Sequence, residues 1–263
     1  INMEIISIYN KFKECGVVTT DTRTLKGGEM FFALKGENFD GNEYALKALE
    51  AGAAYAVVNA DSEVGKVDDP RLVKVEDTLK TLQELARWHR SMTFVDGKPL
   101  TVVALTGTNG KTTTKEFIYA VLSEKYKTLK TEGNFNSDIG LPMTLLGLSE
   151  DDSAAILEMG MSAKGEIEYL SKIASPRIAV ITNIGTSHIG LLGSREAIRD
   201  AKCEISDGLK EDGILILNAD EPLLAGKKAI YVGLENPSAE YKAENIREDE
   251  SGTVFDIENE GKK

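Results

Sequence analysis

The stretch "VVALTGTNGKTTTKEF", Val102 to Phe117, decides the fold. Val102 to Leu105 are β-branched or aliphatic and contain no breaker, as expected of a strand buried on both faces of a parallel sheet. Gly107 and Gly110 follow at once and let the backbone amides turn inward around an anion. From Thr112 the apolar residues Phe117, Ile118, Val121 and Leu122 recur with helical spacing. The loop therefore ends at a helix N-terminus, whose dipole and free N–H groups favour phosphate. In such a loop Lys111 reaches the outer phosphates and the Thr112 hydroxyl holds magnesium. The usual phosphate-loop pattern wants glycine five residues before Gly110, where this chain has Leu105, so the loop is a shorter G-x-x-G-K-T variant. A plain strand-to-helix turn with a chance Gly-Lys-Thr is the alternative, and the strand-loop-helix context favours nucleotide binding.

Composition bounds the rest. The chain has 263 residues, long enough for two domains, and 41% hydrophobic with 28% charged residues is ordinary for a soluble globular protein. A net charge of -12 argues against a nucleic-acid or anionic-membrane partner. The two cysteines, Cys15 and Cys203, are far apart and lack metal-type spacing, which suggests neither a disulfide framework nor zinc and fits a reducing cytoplasm. The N-terminal "INMEIISIYNKFKEC" carries charges inside its first apolar stretch, and no run of about 18 apolar residues occurs, so neither a signal peptide nor a span is expected.

Along the chain, residues 1–98 read as a small α/β domain: "MFFAL" as a strand, "NEYALKALEAG" as a helix, "AAYAVVNA" as a strand and "TLKTLQELARWHRSM" as a helix. The turn residues of "FVDGKPL" mark the boundary, and residues 99–263 form a second domain. There strands and helices alternate: "AAILEM", a helix from Gly165, "IAVITNI", a helix from Ser194, "GILILNA" and "AIYVG". Such alternation predicts a doubly wound, mainly parallel sheet with its ligand site at the strand C-termini. The period-two character around "ESG" near the end predicts a hairpin. The fold class is thus α/β, a small N-terminal domain before a phosphate-loop domain.

Three further residues stand out. Glu158 ends an apolar strand and is placed to help Thr112 bind magnesium, a solvated strand-end glutamate being the plainer reading. His188 also follows a strand exit, although a lone histidine is more often a structural hydrogen-bonder than a ligand. Lys202 lies on a predicted helix and is by default an exposed lysine, but a helix beginning near Ser194 puts it on a face with Ile198 and Ile205, turned to the sheet.

The segments "TGTNGKTTTKE", "GNFNSDIGLPMTLL", "LEMGMSAKGEIEYLSKIASPRIAVITNIGTSHI" and "AKCEI", in this order and spacing, resemble the Mur ligase family of peptidoglycan synthesis. Within it, the "GN-x-N" and "GEI" motifs favour the branch that joins D-alanyl-D-alanine to UDP-N-acetylmuramoyl-tripeptide. The segment "TDTRTLKGGEMFFALKGENFDGNEYALKALEAGA" resembles the uridine-nucleotide-binding domain that two branches share. Family members are longer, so the resemblance implies that this chain stops within or near the end of the ATPase domain, before the adenine-binding part and a C-terminal domain.

The resemblance implies ATP and Mg2+ as cofactors and an acyl-phosphate route to an amide. By it, Gly107, Thr108, Asn109, Gly110, Lys111, Thr112 and Thr113 cradle ATP, with Lys111 catalytic on the outer phosphates. Thr112 and Glu158 hold one magnesium. His188 holds a second, with Lys202 carrying a carbamate that turns a cation into an oxygen ligand. Asn134 and Asn136 lie beside the reacting groups, where amides orient without adding charge; an Asn-rich turn is the plainer reading. Thr22, Arg23, Glu37, Asn38 and Phe39 match positions that touch the uridine diphosphate, with "TDTR" as a mere capping turn the alternative. The family's Ala-His after "NIG" is replaced here by Thr186-Ser187-His188. A cytoplasmic monomer is expected. Three rivals stay open: the related Mur branch sharing the uridine-binding domain, a folylpolyglutamate-synthase-type ligase, and a nucleotide-switch protein that hydrolyses ATP or GTP only to change shape.

Overall fold

The computed structural model describes residues 3–250 and 252–259. They form two compact units, the first made of the described residues up to 100 together with 132–152, the second of residues 101–131 together with the described residues from 153 onward.

The first unit is built on four parallel strands, β1 (Val18–Thr19), β2 (Met30–Phe32), β3 (Tyr55–Asn59) and β4 (Leu72–Val75), adjacent in chain order. Helices α1 (Met3–Cys15), α2 (Ala45–Glu50) and α3 (Thr78–Ser91) cover it. Phe31, Ala33, Ala45, Ala48, Leu49, Ala56, Val58 and Leu72 form one buried cluster. Helix α3 begins where Asp77 accepts the Lys80 N–H, a cap that leaves Leu82, Leu85 and Ala86 on one buried face. The "FVDGKPL" turn folds as a short antiparallel hairpin, β5 (Phe94–Val95) with β6 (Lys98–Pro99).

The second unit is an eight-stranded sheet. Its strands are β7 (Thr101–Thr106), β8 (Thr128–Lys130), β9 (Ala154–Glu158), β10 (Ile178–Ile181), β11 (Ile214–Asn218), β12 (Ile230–Gly233), β13 (Tyr241–Asp249) and β14 (Gly252–Asn259). The order across the sheet is β14-β13-β12-β11-β10-β7-β9-β8, parallel except for the β13–β14 pair. That pair is the hairpin expected around "ESG", of which Ser251 lies outside the described residues. From β7 the chain runs to one side through α4 (Lys111–Ser123), then returns through α6 (Glu166–Ala174) to the other. Strand order reverses at β7, so the end of β7 is a topological switch point flanked by the ends of β9 and β10. Val103, Leu105 and Ile156 pack beneath Ile118, Tyr119 and Leu122 of α4.

Three features depart from or add to the sequence reading. The segment after "GN-x-N" belongs to the first unit, because α5 (Gly140–Leu146) packs on α3 and Gln83 Nε2 donates to the Asp138 carbonyl at 2.9 Å. A single boundary near residue 98 therefore gives way to a discontinuous first unit. On α4, Ile118 and Leu122 face the sheet while Phe117 and Val121 are 70% and 72% exposed, so the apolar stripe is only half used. Finally, α1 was not anticipated: Ile5, Ile8 and Phe12 are its buried stripe, at three- and four-residue spacing.

Candidate nucleotide and metal site

The loop between β7 and α4 sits at the switch point. Gly110 occupies the helix N-cap with φ 77, a left-handed conformation natural for glycine, and no side chain caps the helix. The first-turn N–H groups of α4 are thereby left to a ligand. At Gly107, a Cβ would lie 1.8 Å from Thr182 Oγ1, so only glycine permits the approach of β10's exit. Lys111 Nζ lies back along the loop, donating to the carbonyls of Gly107 at 3.0 Å and Thr108 at 3.4 Å. The N–H groups of Thr108 and Asn109 are directed to the Asn183 segment, so the anion-facing donors are those from Gly110 onward.

Thr112 Oγ1 donates to Glu158 Oε2 at 3.1 Å, bringing a hydroxyl from the first turn of α4 against a carboxylate from the end of β9. Glu158 is 3% exposed, and Thr131 Oγ1 accepts its N–H at 3.0 Å. Two hard oxygens side by side suit magnesium, which takes one or two protein oxygens and completes its shell with phosphate and water. Among the described residues no cluster of three His, Cys, Asp or Glu forms a ready-made metal cage.

Sequence reasoning missed Lys115. Its side chain is buried behind Thr112, with Nζ 2.7 Å from the Thr131 carbonyl, 3.4 Å from Glu116 and 4.0 Å from Glu158. The signal was available in principle: Lys115 follows Thr112 by three residues and so shares its helix side. Also missed were Asn183, and the Arg195–Glu221 pair that holds both polar groups of Ile184 from α8 (Arg195–Cys203) and the β11 exit.

Lys202 is 4% exposed on the buried face of α8, with Ile198 at 0%. Burial first, and the charge of Lys111 second, bring its amine down to about 8. His188 is exposed and holds φ 67, an uncommon left-handed conformation for a residue with a side chain, at the N-cap of α7 (Ile189–Leu192), which packs on α8. No hydrogen bond or ion pair joins His188 to Lys202 among the described residues.

In the first unit, Thr22 and Arg23 lie in a 3-10 turn after β1. Asp21 caps that turn and also takes the Arg23 guanidinium through two nitrogens, which holds its carboxyl down to about 2. Glu37, Asn38 and Phe39 lie in a loop after β2, closed by Gly36 N–H to the Phe39 carbonyl at 3.0 Å, with Phe39 60% exposed. Both loops leave the C-terminal edge of adjacent parallel strands, where open α/β sheets bind ligands. Asn134 and Asn136 occupy a turn of the same unit, with Asn136 N–H donating to the Asn134 carbonyl.

The chain matches two family models, "Mur ligase family, catalytic domain" over residues 15–90 and "Mur ligase middle domain" over residues 105–263. It belongs to the Mur ligase family. The chain is 47% identical over 245 residues to the UDP-N-acetylmuramoyl-tripeptide--D-alanyl-D-alanine ligase of Bacillus subtilis, covering 91% of this chain and 52% of that one. It is 38% identical to the Escherichia coli ligase of the same name, covering 92% and 53%. Among solved Mur ligases, MurF from Thermotoga maritima in complex with ADP superposes with a TM-score of 0.81 at 31% identity, covering 93% of this chain and 56% of that chain. MurF from Acinetobacter baumannii gives 0.82 at 33%, covering 92% and 53%. This Mur ligase chain thus spans about half the length of the curated relatives it matches. No helix among its described residues is long and apolar enough to cross a membrane.

Proposed function

We propose that the full-length protein is a MurF-type ligase, which joins D-alanyl-D-alanine to UDP-N-acetylmuramoyl-tripeptide at the cost of ATP, as a cytoplasmic monomer. The observation that carries this reading is the Thr112–Glu158 contact at the end of a phosphate-binding loop, within a chain 47% identical to a ligase of that name. The first unit binds the uridine nucleotide through Thr22, Arg23 and residues Glu37 to Phe39. Residues Gly107 to Thr113 bind ATP, and Asn134 and Asn136 orient the reacting groups.

A free carboxylate is a poor electrophile, so it must first be activated. A tripeptide carboxylate oxygen attacks the γ-phosphorus of ATP, the bond to ADP breaks, and an acyl phosphate results. The amine of D-alanyl-D-alanine then attacks the acyl carbon, forming the C–N bond as phosphate leaves, and the amine proton is lost. Lys111 swings from the loop carbonyls to the transferring phosphate and neutralises its charge, while the α4 N-terminus holds the β-phosphate. Thr112 and Glu158 would hold magnesium, which when bound would offset phosphate charge. Lys202 is held where its amine is partly neutral, and a neutral amine takes up carbon dioxide with loss of a proton to give a carbamate. With His188, that oxygen ligand would hold a second magnesium.

Phosphate release in the full-length protein tests the reading. It should require ATP, the UDP-linked tripeptide and D-alanyl-D-alanine together. Release without the dipeptide, or with a single amino acid in its place, would overturn the assignment. Lys111→Ala should lower the ligation rate by several orders of magnitude while uridine-nucleotide binding persists.

A further inference from the structure

The phosphate-binding loop is braced from the neighbouring strand. Asn183, two residues past β10, meets Asn109 with both ends of its carboxamide. Its Oδ1 accepts the Asn109 N–H at 3.0 Å, and its Nδ2 donates to the Asn109 carbonyl at 3.0 Å. The same carbonyl accepts from Thr182 Oγ1 at 2.7 Å. Thr108 N–H donates to the Asn183 carbonyl at 3.2 Å, and Gly185 N–H to Thr108 Oγ1 at 2.8 Å. Asn218 Nδ2, from the end of β11, fixes the Thr182 carbonyl at 3.1 Å. Five hydrogen bonds therefore dock Thr108 and Asn109 onto the β10 exit.

The docking has an electrostatic consequence. A carbonyl aimed into the loop would repel phosphate, and the Asn109 carbonyl is instead turned to two donors on β10's exit. A short glycine-bearing loop left to itself would sample many conformations, and ordering it on each binding event would weaken affinity. We propose that Asn183 is a positioning residue that presets the loop for the nucleotide's phosphates by clamping the main chain of Asn109. This rests on the reading of Gly107 to Thr113 as the nucleotide loop. Only a carboxamide can do it: aspartate lacks the donor and sets a negative charge against the Asn109 carbonyl, and alanine leaves the Asn109 N–H unmet and its carbonyl to Thr182 Oγ1 alone.

Because a preset loop favours bound nucleotide in ground state and transition state alike, the effect should fall on binding rather than on chemistry. In the full-length protein, Asn183→Asp and Asn183→Ala should each raise the Kd for ADP and the KM for ATP about tenfold or more, with kcat changed by less than about threefold. A residue needed only for stability would lower the unfolding midpoint and leave the ADP Kd of the folded fraction alone. An ADP Kd within about twofold of wild type overturns the proposal. Hydrogen exchange on the nucleotide-free wild-type protein gives a readout that needs no variant. The Asn109 amide should exchange much more slowly than the Gly110 amide, and equal rates overturn the clamp. ADP binding by the wild-type protein separates the two failures. If wild type binds ADP and the Asn183 variants bind it equally well, only the clamp is wrong; if wild type does not bind ADP, the nucleotide reading fails and the clamp with it.

Discussion

Lys202 carries an amine on the core face of α8, where burial and the nearby charge of Lys111 both disfavour the ammonium form. With its ordinary value of 10.5 brought down to about 8, about one amine in ten is neutral at pH 7. The carbamate proposed for Lys202 would form from that fraction. The stability consequence has a definite sign: between about pH 8 and 10.5 the unfolded chain binds the extra proton, so stability rises with pH through that window, and below it the burial penalty is complete. In the full-length protein, Lys202→Ala should be nearly inactive and partly rescued by acetate, whose oxygen would enter the vacated space. Lys202→Arg should be inactive without rescue, because guanidinium stays charged and fills the site. Steady-state ligation rates with and without acetate check both; a normally active Lys202→Arg enzyme would sink the carbamate.

Helix α6 shows how an element can depend on a residue far away in sequence. Its N-cap is Gly165, at φ 89 and without a capping side chain. Glu204, just past α8 and 8% exposed, supplies the cap instead, accepting from Gly165 N–H through both oxygens at 3.0 and 2.9 Å and from Glu168 N–H at 3.3 Å. A carboxylate at a helix N-terminus also meets the positive end of the dipole. Glu204→Ala should therefore cost about 1–3 kcal/mol of stability in the second unit, as expected for orphaned buried donors, while Glu204→Gln should lose less. Chemical denaturation followed by far-UV circular dichroism measures both, and an unchanged midpoint in Glu204→Ala would refute the cap. The pairing accounts physically for the "GEI" and "AKCEI" segments: one supplies a helix start, the other its cap. Sequence spacing located α6 and α8 themselves, since each has a clean apolar stripe and a small or polar residue before it, but not their tie. A different limit hid β1 and β8, two and three residues long, whose surroundings lack an apolar run as long as the "MFFAL" around the equally short β2.

For the whole molecule, the discontinuous first unit is held together by His89, on α3. Its Nε2 lies 3.0 Å from the Leu148 carbonyl and must carry the proton there, leaving Nδ1 to accept from Tyr9 at 3.5 Å. Phe12 packs edge-on at 5.0 Å between ring centroids. Burial, with the Lys13 charge adding to it, holds the imidazole below its ordinary 6.5. The unfolded chain then takes up a proton first as pH falls, so the first unit should be at full strength above about pH 6.5 and weaken below it. The chain's single tryptophan, Trp88, lies in the same helix and reports on this unit alone. Urea midpoints by tryptophan fluorescence should drop between pH 7.5 and 5.5 in wild type, and that drop should shrink in His89→Gln. Equal drops in both would show that His89 does not set the pH dependence.

What the sequence determined by itself was local and periodic: the apolar strand before Gly107, the helix after Gly110, the alternation that makes a parallel sheet, and the polar residues at strand ends. Those signals arise within a few residues, because strand and helix periods are set by neighbouring side chains. Only the tertiary structure decided that residues 132–152 return to the first unit, that β7 lies between β9 and β10, and that Lys115, Asn183 and Glu204 serve segments remote from them. Those three side chains each meet a main-chain group of another segment, and no local pattern encodes such a meeting. It exists once apolar burial has set the strand order, and a buried main-chain group then needs a partner from whichever side chain lies nearest.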